Sequence, residues 1–583
     1  MRLFFQGAFA GGIGMTDSTA PHQATSPPDA SAAAPGSTSA APSTPLLIQR
    51  LLDPAAYPHP TGPIRLVETH ISWVLLTGPF AYKLKKPVAL GYLDFSSLDR
   101  RAHFCREEVR LNQRFAPDLY LKALPITGSH ERPQIGGSGE PIEWAVKLVQ
   151  FDEDDQLDRR LAAARLSVAD CQTLGAEIAR VHARLATALP ASPFGTPAGI
   201  FSIAAINLHQ LRTCRPDSSQ RVDAIEHWLR DHLLATGSPG THAAMQARRA
   251  DGKVRECHGD LHLANVVFHE GRLTAFDSIE FNPDLRWIDV ASDIAFLAMD
   301  LEARGRPDLA AHATNAWIET SNDHGATAVL PLYKVARALV RAAVAAVRGS
   351  QVNQPAITAA VASPQADTDR YLALAERLMH LPKPQLIVTS GVSGSGKTTV
   401  TTELIGGLGA IRLRSDVERK RLAGMAATAR PADSLQADSL YSPASTERVY
   451  QRLETLARSM LAAGSSVIID AACNTLRQRE RFTTLARDTG TPLVWLDFSL
   501  PAELVLARVA AREAAGTDAS DASVAVVQAQ LAAREPIAEA ELLRAGPPES
   551  PPATHIQFTS PEAAAPEAIA QLVQRLRARS STQ

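Results

Sequence analysis

Hydrophobic and polar positions recur with two periods along this chain, and the period separates strands from helices. Residues 65–78 carry short apolar stretches broken by polar residues, as strands meeting at a hairpin do, and residues 80–85 predict a further strand. From 101 to 115 the period changes. Phe104, Glu108, Leu111 and Phe115 fall at i, i+4, i+7 and i+11 and share one helix face. Residues 142–151 predict another strand, 157–249 a mainly helical stretch, and 273–276 a strand that ends at Asp277. A helix at 333–348 carries Arg337, Arg341 and Arg348 on a stripe expected to face solvent, with a substrate-facing wall as the alternative, and a helix at 367–380 is ended by Pro382 and Pro384. Four apolar runs, 385–390, 409–413, 466–470 and 493–498, then read as buried strands. A helix opens after the first of them, and a last helix is expected at 566–579.

At 583 residues the chain is too long for one core. The patterns divide it into a Pro/Ala/Ser/Thr-rich leader at 1–45, a domain at 46–350, a linker with a helix at 351–383 and a domain at 384–583. The leader is expected to be disordered. Its first five residues only faintly resemble a signal-peptide start, and Met15 is an alternative start of translation. Composition is that of a soluble globular protein, with 45% hydrophobic and 21% charged residues. The net charge of −2 argues against a general nucleic-acid or membrane-surface binder. Five scattered cysteines with no C-x-x-C imply reduced thiols, a cytoplasmic protein and no zinc or disulfide framework. No apolar run reaches the roughly 18 residues that span a bilayer.

The densest chemistry lies at Gly391-Val392-Ser393-Gly394-Ser395-Gly396-Lys397-Thr398, which reads G-x-x-x-x-G-K-[ST] between a predicted strand and a predicted helix. Such a loop aims backbone N–H groups and a helix N-terminus at a polyphosphate. Gly391, Ser393, Gly394, Ser395, Gly396, Lys397, Thr398 and Thr399 are the expected ATP-binding residues. Lys397 would reach the β- and γ-phosphates, and Thr398 would hold Mg²⁺.

A second constellation precedes it. Lys83 is the candidate for gripping the α- and β-phosphates, with Lys85 on the same strand face; exposed lysines on an edge strand are the competing reading. Glu108, a carboxylate on an apolar helix face, needs a partner, and Lys83 is the natural one. Glu107 is expected to face solvent. His258-Gly259-Asp260, Asn265 and Asp277 keep the order of a phosphoryl-transfer loop. Asp260 would accept the hydroxyl proton, while Asn265 and Asp277 would ligate metal. His258 is expected to brace the loop and His262 to be an ordinary polar loop residue. Asp289 and Asp293 are expected to cap helices or anchor the loop, and Glu280 stays open as an acceptor-facing residue. The run at 152–155 would attract a cationic substrate or simply be a solvated loop.

With Asn265 and Asp277, the stretch His258-Gly259-Asp260-Leu261-His262 resembles the aminoglycoside phosphotransferase-like kinases over about 46–347. Glycine stands where protein kinases carry arginine between His and Asp, and Asp277-Ser278-Ile279 stands for D-F-G, so a regulated protein kinase is not implied. The C-terminal half is similar to small-molecule P-loop kinases. That likeness implies Asp416 as hydroxyl-activating base, Arg419 as acceptor-orienting residue, Asp470 at the metal, Arg508 and Arg512 as lid arginines, and 516–523 as the lid tip. Asp416 as the N-cap of a charged helix is the alternative.

The implied fold class is a multidomain α/β and α+β chain, with an N-terminal protein-kinase-like bilobal fold and a C-terminal P-loop fold of parallel sheet flanked by helices. The implied function is transfer of the γ-phosphoryl group of Mg-ATP to hydroxyls of small molecules at two sites. Two alternatives remain: a P-loop kinase with a ligand-sensing kinase-like half, and a polynucleotide-end kinase using Arg412, Arg414, Arg419, Lys420 and Arg421.

Overall fold

The computed structural model describes residues 44–89, 93–235, 240–351, 363–426, 429, 439–515, 524–543 and 553–582. The leader before residue 44, the lid tip at 516–523 and the turn-rich stretch at 545–552 lie outside the described residues. The chain divides into two compact units, 1–152 with 276–283, and 153–275 with 284–583.

The first unit is built on a six-stranded antiparallel sheet in the order β1-β2-β3-β6-β4-β5. Its strands are β1 (Arg65–Glu68), β2 (Ser72–Leu76), β3 (Phe80–Lys85), β4 (Tyr120–Gly128), β5 (Pro133–Ile135) and β6 (Glu143–Val149). One face packs Trp73, Leu75, Tyr82, Leu84, Ile126 and Ala145 against Leu47 and Ile48 of α1 (Leu46–Arg50) and its C-cap Leu51. The period-two alternation of β3 sends Lys83 and Lys85 to the other face. On that side runs α2 (Leu98–Asn112). It starts three residues before the expected position because the Ser97 hydroxyl accepts from Arg100 N and caps it.

The second unit begins with α3 (Leu157–Ala162), α4 (Val168–Arg184), α5 (Pro197–Cys214), α6 (Ser219–Leu233) and α7 (Thr241–Ala250). Strand β7 (Val254–Glu256) pairs antiparallel with β10 (Trp287–Asp289), and β8 (Val266–His269) pairs with β9 (Arg272–Ala275). Residues 257–265, between β7 and β8, form the loop of the second constellation. After α8 (Pro283–Arg286) come α9 (Val290–Ala303), α10 (Pro307–Ser321), α11 (Leu330–Gln351) and α12 (Pro364–Met379). The last of these is the helix expected in the linker; it packs on α11, and Tyr371 donates from its hydroxyl to Asp300 Oδ1 at 2.6 Å. The arginine stripe of α11 is not solvated. Arg341 is buried, and Arg337 lies over the Phe296 ring at 4.9 Å, because α11 is packed against both α9 and α12.

A five-stranded, all-parallel sheet completes this unit in the order β12-β13-β11-β14-β15. The strands are β11 (Leu386–Ser390), β12 (Ile411–Arg414), β13 (Val467–Asp470), β14 (Leu493–Phe498) and β15 (Thr554–Phe558). Helices α13 (Lys397–Leu408) and α14 (Ser415–Leu422) follow β11 and β12. Ile387, Val400, Leu404, Ile468, Val494 and Leu496 fill the core under α13. Strand β15 had no expectation, since its apolar residues are too few to mark it. The fold class is the expected mixed α/β one, with an antiparallel sheet in the first unit and a parallel sheet flanked by helices in the second.

Candidate active sites

In the first unit, β3 and α2 bring charges together. Lys83 Nζ donates to Glu108 Oε1 at 2.8 Å and to Asp277 Oδ1 at 2.5 Å. Lys85 Nζ donates to Glu108 Oε2 at 2.7 Å and also to Glu280 Oε1. Glu108 thus bridges both lysines, so the choice of Lys83 alone missed half of the arrangement. The shared face of Lys83 and Lys85 was the signal. Burial opposes the charge on Lys83, but Asp277 and Glu108 outweigh it and hold the ammonium well above its ordinary pKa. Burial would also raise Glu108; the two lysines outweigh it and lower it. Glu280 is raised by burial, with Lys85 pulling the other way. Asp277 adopts a left-handed φ of 64° and donates from its backbone N to Tyr120 Oη at 3.2 Å.

In the second unit, Asp293 ties down the loop at 257–265. It accepts from His258 N at 3.0 Å and Gly259 N at 2.9 Å. Leu263 N donates to Asp300 at 3.1 Å, and Asp289 caps α9 by accepting from Ala291 N at 2.8 Å. Asn265 Nδ2 donates to the backbone O and to Oδ2 of Asp260, both at 3.0 Å, so the candidate base and the candidate metal ligand are held together. His262 is no ordinary loop residue. It is buried, edge-on to Phe296, with Nε2 3.4 Å from Asp260 Oδ2. Burial pushes its pKa down to about 4, so the ring is neutral at pH 7. The acidic run is neutralised locally: Glu153 and Asp154 pair with Arg159, and Asp155 with Arg160.

The phosphate-binding loop follows the fully buried β11. Gly391 and Gly394 have φ of 144° and 83°. A Cβ on Gly391 would lie 2.8 Å from Phe498 O, and one on Gly394 would lie 2.6 Å from Val509 Cγ2. Lys397 Nζ donates to Gly391 O at 2.9 Å and Val392 O at 2.8 Å. Thr398 Oγ1 donates to Asp470 Oδ2 at 3.0 Å. Asp416 is raised by burial and then by Asp470, with Lys397 pulling it down. Arg508 is near too, since a Cβ on Gly396 would lie 4.0 Å from its Nη1. Thr399 is exposed in the first turn of α13. Arg419, expected to orient the acceptor, has protein partners here. It is buried, it donates to Leu440 O and Thr446 Oγ1, and it stacks over Tyr441. The Arg512 side chain lies outside the described residues. Gln530 was missed: its Oε1 accepts from Ser393 N at 2.8 Å across 137 positions, with no local pattern to mark it.

Residues 94–330 match the model of the phosphotransferase enzyme family, and residues 386–537 match that of an AAA domain. This chain is a phosphotransferase with two kinase-like domains. The first match takes in Glu108, Asp260, Asn265 and Asp277 but begins after Lys83; the second takes in the loop at 391–399, Asp416 and Asp470. The enzyme is 29% identical over 470 residues to uncharacterized proteins of Mycobacterium tuberculosis and Mycobacterium bovis, covering 80% of this chain and 89% of theirs. Among solved structures it is similar to a choline/ethanolamine kinase family protein from Mesorhizobium loti, with 13% identity and a TM-score of 0.32 over 57% of this chain and 95% of that one. It is also similar to a gluconokinase from Sinorhizobium meliloti, with 19% identity and a TM-score of 0.22 over 34% of this chain and 99% of that one. Among the described residues no helix is long and apolar enough to cross a membrane.

Proposed function

We propose that the enzyme transfers the γ-phosphoryl group of Mg-ATP to hydroxyl groups of small cytoplasmic molecules at two separate sites. The observation that carries this reading is the loop at 391–398. Gly391 and Gly394 leave no room for side chains, the Ser395 hydroxyl is buried with no partner, and Thr398 is hydrogen-bonded to a strand-end carboxylate. Those features fit a polyphosphate and a divalent cation.

Bound Mg-ATP supplies the phosphoryl group; the chain positions it and neutralises charge. At the C-terminal site Lys397 and Arg508 would face the phosphates. Thr398 and Asp470 would hold the metal, and Asp416 would take the acceptor proton. In the first unit Lys83, oriented by Glu108, would grip phosphate oxygens and Asp277 would hold metal; in the second unit Asp260 would take the acceptor proton and Asn265 would hold metal. The basic cluster that would suit a polynucleotide end is spent internally. Arg412 donates to Thr398 O and Thr402 Oγ1, Arg414 pairs with Glu319 at 3.6 Å, and Arg421 pairs with Glu418.

The test is Mg-ATP turnover by the wild type, Asp260→Ala and Lys397→Ala against a panel of hydroxyl acceptors. Each substitution is expected to remove a distinct part of the turnover by about 10²–10³-fold. If Lys397→Ala removes all of it and Asp260→Ala none, the N-terminal site is a regulatory module and this reading fails.

A further inference from the structure

Helix α10 presents two faces with different partners. Asp308, His312, Asn315 and Glu319 fall at i, i+4, i+7 and i+11 and form one stripe. That stripe meets the P-loop region. A Cβ on Gly406 of α13 would lie 3.2 Å from both Asp308 Cβ and His312 Nε2. The Asn315 amide donates to Ala410 O at 3.0 Å and accepts from Arg412 N at 2.8 Å, the donor–acceptor pair a neighbouring strand would offer to the edge strand β12. One turn on, Glu319 faces Arg414 at 3.6 Å, and its backbone O accepts from Arg421 at 2.6 Å. Those contacts hold both ends of the segment that carries Asp416.

Trp317 projects from the opposite face and is fully buried. Its indole N–H donates to His182 Nδ1 at 3.1 Å. An indole nitrogen can only donate, so His182 Nδ1 accepts, and the ring proton sits on Nε2. Nε2 then donates to Asp293 Oδ2 at 3.1 Å, and Asp293 holds the amides of His258 and Gly259. His182 and Asp293 also lie with Cys257 in a trio whose ligand-type atoms are within 4.8 Å, but both ring nitrogens of His182 are engaged in this relay and Cys257 Sγ donates to Ile288 O at 3.5 Å, so the trio does not read as a metal centre.

We propose that α10 is a positioning element common to both phosphotransfer sites: Trp317 acts through His182 and Asp293 on the His258–Gly259 backbone that precedes Asp260, while Asn315 and Glu319 act on the strand and helix that present Asp416. The assignment of Asp260 and Asp416 as bases rests on the function proposed above; the coupling through α10 does not.

The experiment is amide hydrogen exchange on the full chain, read on peptides covering 257–265, 410–416 and, as a control, 222–233. Trp317→Phe keeps an aromatic ring and removes only the N–H. It is expected to speed exchange in 257–265 about tenfold with the control unchanged. It should also lower kcat of the Asp260-dependent turnover about tenfold, with KM for ATP within about twofold. Asn315→Ala is expected to speed 410–416 about tenfold and 257–265 about threefold, although it touches no residue of that loop. Unchanged exchange in 257–265 in either variant, or equal acceleration of the control, overturns the proposal. Should Trp317→Phe not fold, Asn315→Ala decides alone by the same peptides. Exchange does not depend on turnover. If the wild type phosphorylates no acceptor, the assigned chemistry falls while the role of α10 is still decided.

Discussion

At the P-loop, residues 391–399 supply most of the site from one uninterrupted stretch, whereas Lys83 and Asp277 of the N-terminal cluster stand 194 positions apart. The difference is physical. A polyphosphate cradle is made of backbone N–H groups, and its demand on sequence is glycine at positions of left-handed φ. A buried lysine–glutamate network is made of side-chain charges. Each charge loses its hydration and recovers it only if its partner arrives in good geometry. The first site is therefore set by local conformation and the second by long-range packing.

The strongest way to break this comparison is Glu108→Gln. It leaves the buried Lys85 and the half-buried Lys83 short of a carboxylate, and removing one partner of a buried pair costs about 3–5 kcal/mol. Urea unfolding should show a loss of that size, together with a fall in the Asp260-dependent turnover. A loss under about 1 kcal/mol, as for a surface pair, would mean the network is not held by burial. Gly394→Ala probes the other site. Its left-handed φ and the nearby Val509 make a methyl costly by about 1–3 kcal/mol. The Lys397-dependent turnover should fall while the Asp260-dependent part stays within about twofold. If both parts fall together, the loop is not a local device.

The smallest expected effect is in pH. Asp416 must be deprotonated to accept a proton, and burial with Asp470 raises its pKa. Turnover at the P-loop site should therefore fall as the pH drops through a value above about 4, the ordinary carboxylate figure. Asp470→Asn removes a charge that raises Asp416, so the acid limb of the residual activity should move to lower pH. A limb that stays in place would take the base assignment away from Asp416.

Motif order and side-chain period were legible along the chain in unequal degree. The loop at 391–398 needed only its own residues and the flanking strand. Asp289 and Asp293 were expected as caps or anchors from their spacing at the start of α9, and they cap and anchor there. Lys85 was on the page, since a strand period of two places it beside Lys83, yet nothing local says that one glutamate serves both. Arg337 and Arg341 read as a solvated stripe because charge usually marks the outer face of a helix; α9 and α12 cover that face instead. For His262, identity alone could not report a buried ring beside Asp260. Gln530 and β15 had no signal at all, being defined by the loop and strand they pair with.

By itself the sequence determined the cradle at 391–398, the succession of strands and helices, and the identity of the charged residues available for phosphoryl transfer. These depend on backbone conformation and side-chain period, which neighbouring residues dictate. Only the tertiary structure decided that Glu108 bridges two lysines, that Arg419 donates to Leu440 O and Thr446 Oγ1, and that α10 meets His182 of α4 through one face and β12 through the other. Each of those depends on which distant surfaces meet. A charge or amide finds its partner only after the hydrophobic faces around it have packed and excluded water.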